Sequence, residues 1–325
     1  SAAIESVSID PRTVVRRKVP DELPRIAIAG AKLHNLKDVA LSVPSARLVA
    51  VTGVSGSGKS SLVRQELLSA VRLGCGLVSE IKPTSKLVSL GGVKRAVEVD
   101  QSPIGRTPRS TPATYVGIWD EIRKLLAGTP EARSRGFGGS RFSFNVEGGR
   151  CDVCKGQGAL PVEMAFLPEV LVPCDACGGK RFGVETLDVR YRDKDVAAIL
   201  DMEISEAADF FSAVPKVGEP LALMRDLGLG YLHLGQPSNT LSGGEAQRMK
   251  LVAELAVGMR TGPTLYVLDE PTTGLDRGDV TRLLGIFQRL VDRGDTVVLI
   301  EHHLDLVAAC DHVIDLGPEG GEGGG

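Results

Sequence analysis

No run of eighteen apolar residues occurs anywhere in the 325-residue chain, so the sequence predicts no membrane-spanning helix. A basic segment followed by an apolar one, the mark of a secretory signal, is missing from its start. These two absences lead to the expectation of a soluble, cytoplasmic protein. There is no internal repeat. An excess of positive charge is missing as well: the net charge of −3 excludes a wholly basic nucleic-acid binder but leaves local patches open. Cysteines number only six, and four of them are grouped. What is present is ordinary for a folded protein, with 42% hydrophobic and 24% charged residues and enough length for about two compact units.

Residues 1–24 are polar with scattered prolines and no period, which predicts a linker. Short apolar strands follow at Ile26–Ile28, Val39–Leu41 and Arg47–Val51. The last runs into Gly53-Val-Ser-Gly-Ser-Gly-Lys-Ser60 and then the helical pattern Ser61–Leu68. Residues 102–240 change in texture, with many arginines and glycines and few long periodic runs. The α/β rhythm returns with a helix expected at 244–258, strand Leu265–Leu268, helix Val280–Val291, strand Thr296–Ile300 and strand His312–Leu316. The predicted fold class is α/β: a P-loop ATPase domain in two parts, 25–101 and 241–325. It is interrupted by a helix-rich insertion at 102–240 that carries a zinc module at about 148–182. Ser1 in place of Met and the run Gly323-Gly324-Gly325 suggest a piece of a longer chain.

Strand, glycine-rich loop and helix form the context in which backbone N–H groups cradle phosphates. Gly53 and Gly58 let the loop curl, and Ser55, Gly56 and Ser61 complete it. Lys59 is placed to neutralise the β- and γ-phosphates and Ser60 to ligate Mg2+ of bound ATP. The strand Leu265–Leu268 delivers Asp269 and Glu270 at its end. Asp269 is the expected partner of Mg2+ and Glu270 the expected general base for the attacking water. In Leu241-Ser-Gly-Gly-Glu-Ala-Gln-Arg248, Ser242, Gly243 and Gly244 open a helix, so their hydroxyl and N–H groups suit an anion.

Cys151, Cys154, Cys174 and Cys177 stand in a CxxC-x19-CxxC pattern. In a cytosolic chain this spacing predicts a closed tetrathiolate site for Zn2+, with a structural role because all four positions are filled by protein. Cys75 and Cys310 read as ordinary buried residues. Between Ser102 and Arg150 eight Arg or Lys face four acids, and Lys155, Lys180 and Arg181 add charge near the metal site. Arg106, Arg109, Arg141, Lys155, Lys180 and Arg181 are the candidate contacts to nucleic-acid phosphates. Few aromatics are expected in the insertion, which makes base stacking weak and reading of duplex shape the better fit.

The phosphate loop, the Leu241–Arg248 segment and Asp269-Glu270 together resemble the ATP-binding-cassette (ABC) ATPases. That resemblance implies that Ser242, Gly243 and Gly244 serve a nucleotide held by another domain. It implies that Gln101 reaches Mg2+ and the attacking water, that Asp276 crosses a dimer interface, and that His302, rather than its neighbour His303, senses the γ-phosphate. The strings Asp100–Thr114, Arg141–Cys151, Val162–Pro168, Gly235–Pro237 and Asp315–Gly320 narrow the resemblance to the C-terminal ABC module of the UvrA family. This family comprises the damage-recognition ATPases of bacterial nucleotide excision repair. The implied partners are duplex DNA, a second ABC module in the same polypeptide, a second UvrA copy and UvrB. At Gly274-Leu275-Asp276 the chain departs from the Gly-Leu-His usual in that family. Two alternatives therefore stay open: a UvrA-like drug-resistance protein binding DNA or DNA–drug adducts, and a non-catalytic, zinc-stabilised ATP-binding interaction module.

Overall fold

Apolar alternation near the N-terminus produces a small antiparallel sheet, and unbroken apolar runs further on produce a buried parallel one. The structure is a computed structural model that describes residues 14–105, 107, 109–162, 170–256 and 262–321. Several expectations lie outside these residues: the first part of the 1–24 linker, Arg106, residues 163–168 of the family string, the end of the 244–258 helix, and Gly323–Gly325.

The chain divides into two compact units, 1–101 with 257–325, and 102–256. In the first, β1 (Arg25–Ala31) and β2 (Val39–Pro44) pair antiparallel, and β3 (Leu48–Gly53) leads into the phosphate loop. The following helix begins with a π-type segment, Ser61–Leu67, and continues as α1 (Leu68–Gly74). Next come β4 (Lys86–Leu90), which adds antiparallel to β1, and β5 (Arg95–Val99).

Among its described residues the second unit holds mostly short helices and two small hairpins. Its helices are α2 (Pro112–Tyr115), α3 (Ile118–Ala127), α4 (Pro130–Ser134), α5 (Val184–Leu187), α6 (Val196–Leu200), α7 (Ile204–Phe210), α8 (Pro215–Met224) and α9 (Gly243–Ala256). The hairpins are β6 (Ala159–Val162) with β7 (Val170–Pro173), and β8 (Arg190–Tyr191) with β9 (Lys194–Asp195). The chain then returns to the first unit with β10 (Thr264–Asp269), α10 (Arg277–Asp292), β11 (Thr296–Ile300), α11 (Leu304–Ala309) and β12 (His312–Leu316).

The parallel sheet has the order β12-β3-β11-β10-β5. Side chains alternate across it. Val49, Val51, Leu265, Val267, Val298 and Ile300 share a core with Leu62, Val63 and Leu67 of the π-type segment and with Ile26 and Ile28 of β1. The other face carries α10, which packs on β3 and β11 with Leu283, Leu284 and Phe287 buried. Among the described residues several charged groups lie inside this unit, Glu66 the most deeply. Glu66 is fully buried and accepts hydrogen bonds from the Thr84 amide (3.2 Å), the Thr84 hydroxyl (2.6 Å) and the Ser85 amide (2.9 Å). Burial pushes its carboxyl up, but these bonds outweigh burial and hold it below its ordinary value.

Two expectations need correction. The helix that opens at Ser242 falls in the 102–256 unit rather than in a second part starting at 241. Its buried Ala246, Met249, Leu251 and Val252 give it an apolar face, and it packs on α8 and on the turn Arg225–Leu229. The insertion is also not poor in aromatics. Of eight Phe, four Tyr and one Trp, all but Tyr266 and Phe287 lie within 102–256. Many of them build its core, where Trp119 meets Phe144 at 5.9 Å and Phe144 meets Phe182 at 6.4 Å between ring centres. Rings buried in this way are unavailable for stacking on bases.

Candidate functional site

The phosphate loop follows β3 because only glycine fits where the strand turns. Gly53 has φ +136°, and a Cβ there would lie 2.1 Å from the Leu316 carbonyl oxygen. Leu316 is its register partner at the end of β12, so sheet closure and loop geometry are one constraint. The loop encloses a cleft of about 300 Å³ lined by Ser55, Gly56, Gly58, Lys59, Ser60 and Ser61. Asn35, Glu270, Ile300 and His302 complete the lining. Lys59 is buried and donates to the carbonyls of Gly53 and Val54, both at 2.8 Å, which keeps its ammonium on the loop.

β10 brings two carboxylates to the same end of the sheet. Asp269 accepts from the Ser60 hydroxyl at 3.4 Å, so the two groups expected to share Mg2+ are neighbours. Asp269 also pairs with Arg64 at 3.2 Å, and Arg64 in turn pairs with Glu98. Glu270 lies 3.6 Å from His302 Nε2. Of the adjacent histidines, His302 lines the cleft and His303 does not. Glu270 sits at φ +45°, a left-handed backbone that a glutamate adopts only under constraint.

Not every candidate enters this cleft. Gln101 is exposed just beyond β5, the edge strand next to β10. Asp276 caps α10, its carboxylate accepting the Asp279 amide at 2.8 Å. Ser242 closes a capping box at the start of α9. Its amide donates to Glu245 at 2.7 Å and its hydroxyl accepts the Glu245 amide at 3.3 Å. Tyr231 donates its hydroxyl to the same Glu245 carboxylate. The Ser242 amide and hydroxyl are thus engaged within the helix start, while Gly243 and Gly244 follow in its first turn.

The four cysteine sulfurs all lie within 4.8 Å of one another, and the sulfurs of Cys154 and Cys177 are 3.7 Å apart. A tetrahedral ZnS4 centre with bonds of about 2.3 Å has sulfur–sulfur edges of about 3.8 Å, so the cluster has the size zinc needs. Hairpin β6–β7 separates the two cysteine pairs, and each pair ends in a tight turn. At Gly156, φ is +82° and a Cβ would meet the Phe144 carbonyl at 1.8 Å. The Gly158 amide donates to the Cys154 sulfur at 3.3 Å.

The basic candidates separate by environment. Arg141 donates to Thr186 (3.0 Å) and Glu185 (2.7 Å) and lies over the Phe137 ring at 4.3 Å. Arg181 donates to the Gly235 carbonyl at 2.9 Å and faces the Phe144 ring at 5.4 Å. Both are struts within their unit. Arg109 is half-buried, whereas Lys155 and Lys180 are exposed on the two cysteine turns. Asn35, Arg64 and Glu301 are the site residues that sequence reasoning missed. No phosphate or metal pattern specifies Asn35, whose amide donates to the Gly56 carbonyl at 2.8 Å.

No family model matches the chain. It is 56% identical over 303 residues to UvrABC system protein A of Thermus thermophilus, an alignment covering 92% of this chain and 32% of that protein. It is 54% identical over 311 residues to UvrABC system protein A of Micrococcus luteus, covering 95% of this chain and 31% of that one. The crystal structure of UvrA2 from Deinococcus radiodurans superposes with a TM-score of 0.85 at 47% identity, covering 96% of this chain and 38% of that chain. The chain therefore spans about a third of the length of the curated relatives it matches. Identity above one half along nearly all of these residues, with the fold shared as well, makes the chain an ABC module of the UvrA family.

Proposed function

We propose that the chain is the ATP-binding and ATP-hydrolysing module of a cytoplasmic DNA-damage recognition protein in nucleotide excision repair. One observation carries its ATP chemistry, a single cleft that gathers Lys59, Ser60, Glu270 and His302 at the ends of neighbouring parallel strands, and the likeness to UvrABC system protein A supports its repair role. In it, Lys59 holds the β- and γ-phosphate oxygens. Ser60 and Asp269 hold Mg2+, which supplies charge neutralisation when bound. Glu270 takes the proton of the attacking water and His302 faces the γ-phosphate. Gln101 and Asp276 are assigned to water positioning and to the contact with a second module. Gly243 and Gly244, with Ser242 once its capping box opens, serve the nucleotide of that second module. A second copy of the intact protein and UvrB are the further partners in this reading.

In the intact protein, Glu270→Gln is expected to lower single-turnover ATP hydrolysis at this site by about 10²- to 10⁴-fold with ATP binding retained. An unchanged rate would leave a non-catalytic, ATP-binding role.

The cysteine cluster is assigned to Zn2+, held by Cys151, Cys154, Cys174 and Cys177 and structural in its chemistry. Cys151→Ser or Cys174→Ser should reduce bound zinc, measured by elemental analysis, by about one ion per chain. An unchanged zinc content refutes the site. Duplex DNA is the proposed macromolecular ligand, with Lys155 and Lys180 as the exposed phosphate contacts beside the metal. For the double variant Lys155→Ala/Lys180→Ala, the slope of log affinity against log salt should become shallower by about one to two. A slope equal to that of the parent would move the DNA path elsewhere.

A further inference from the structure

Glu270 and His302 are half exposed, at 51% and 52% of their side-chain surface, and each stands on a loop. Packing of their own side chains does not fix them, so the backbone beneath decides where they point. Beneath them lies Glu301, 2% exposed and placed directly after β11. One of its carboxylate oxygens accepts the Thr272 amide at 3.1 Å and also the Thr272 hydroxyl. The other accepts the His302 amide at 2.7 Å and the His303 amide at 2.9 Å. The Glu301 amide itself donates to the Val51 carbonyl at 3.3 Å, in the strand that leads into the phosphate loop.

A carboxylate offers two oxygens with about four acceptor sites, and four donors are in place. Glu301 is therefore saturated and has no acceptor left for a metal ion or a water. An apolar residue there would leave the Thr272, His302 and His303 amides without this partner, at a cost comparable to losing charge-assisted hydrogen bonds. The left-handed backbone at Glu270 adds a second demand. It persists only where the surroundings hold it, and the turn from Glu270 to Thr273 (Thr273 amide to Glu270 carbonyl, 3.2 Å) contains the Thr272 that Glu301 grips.

We propose that Glu301 is a positioning residue that locks the turn after Glu270 to the loop carrying His302, so that base and histidine keep one shared geometry. The proposal rests on the reading that these two residues act on ATP. Glu301→Gln preserves volume but turns an NH2 group toward donors. In the intact protein, kcat and KM for ATP are measured for this variant in the parent and His302→Ala backgrounds, with thermal unfolding as a fold control. The folded variant should lose about tenfold or more in kcat, with KM changed by less than about threefold. The further loss should be smaller once His302 is already absent, the two changes being less than additive. Thr272→Val removes one donor and leaves the carboxylate in place. It should lower kcat by roughly two- to fivefold, and it decides the matter if Glu301→Gln does not fold. Parental kcat in a folded Glu301→Gln or in Thr272→Val overturns the proposal, as does a loss fully additive with His302→Ala. If Glu270→Gln also leaves turnover unchanged, the ATP reading fails and the proposal falls with it.

Discussion

In-register parallel pairing of β3, β10 and β11 fixes where the phosphate loop, Glu270 and His302 meet at the cleft. Asp269 lies opposite Ile300, and Ile300 lies opposite Val51. The residues that follow these three strands are therefore delivered to one edge of the sheet: the phosphate loop, Glu270, and the Glu301–His302 pair. Parallel strands are buried on both faces, and their apolar runs leave little freedom to slip. A slip of one residue would turn each strand's core side chains to the wrong face and move the loops by a full residue. The same register holds Gly53 against Leu316, which makes glycine obligatory at the start of the loop.

Two buried carboxylates of the first unit are each satisfied by donors close in space. Glu66 is held by Thr84 and Ser85, and Glu301 by Thr272 and the two histidine amides. Arg181 lies between the Gly235 carbonyl and the Phe144 ring. Burying an unpaired charge would cost several kcal/mol, so these networks determine loop shape as firmly as apolar packing does. The cysteine unit applies the same logic with sulfur, where four thiols and a set of left-handed turns make a cage of zinc dimensions.

Much of this was legible in the residues themselves. Strand Thr296–Ile300 occurs where its apolar run lies, because a strand buried in a parallel sheet is written as continuous apolar sequence, while the edge strand His312–Leu316 shows a shorter apolar run and alternating burial. The phosphate loop is a local motif, and the CxxC pairs encode a short-range geometry. Strand β4 was not legible: Lys86–Leu90 is an edge strand with mostly exposed side chains and no strong alternation. Charge counting could not separate the exposed Lys155 and Lys180 from Arg141, whose partners Glu185 and Thr186 are more than forty residues away in sequence. The membership of α9 in the insertion depends on which apolar face packs where, and the capping box at Ser242 on a Glu three residues later that also meets Tyr231. The packing of α9 and the partners of Arg141 are tertiary contacts that no local pattern specifies, whereas the Ser242–Glu245 capping box follows a local Ser-x-x-Glu pattern.

Both the hydrolysis chemistry and the role of Glu301 presuppose that ATP binds with its phosphates in the cleft between the phosphate loop and Glu270. Lys59 is the cation that this cleft contributes, held by the Gly53 and Val54 carbonyls. Calorimetric titration of the intact protein with Mg2+ and ATP, parent against Lys59→Ala, tests this most directly. The variant is expected to lose one nucleotide-binding event per chain while its zinc content and unfolding temperature stay those of the parent. Unchanged stoichiometry and affinity in Lys59→Ala would contradict it.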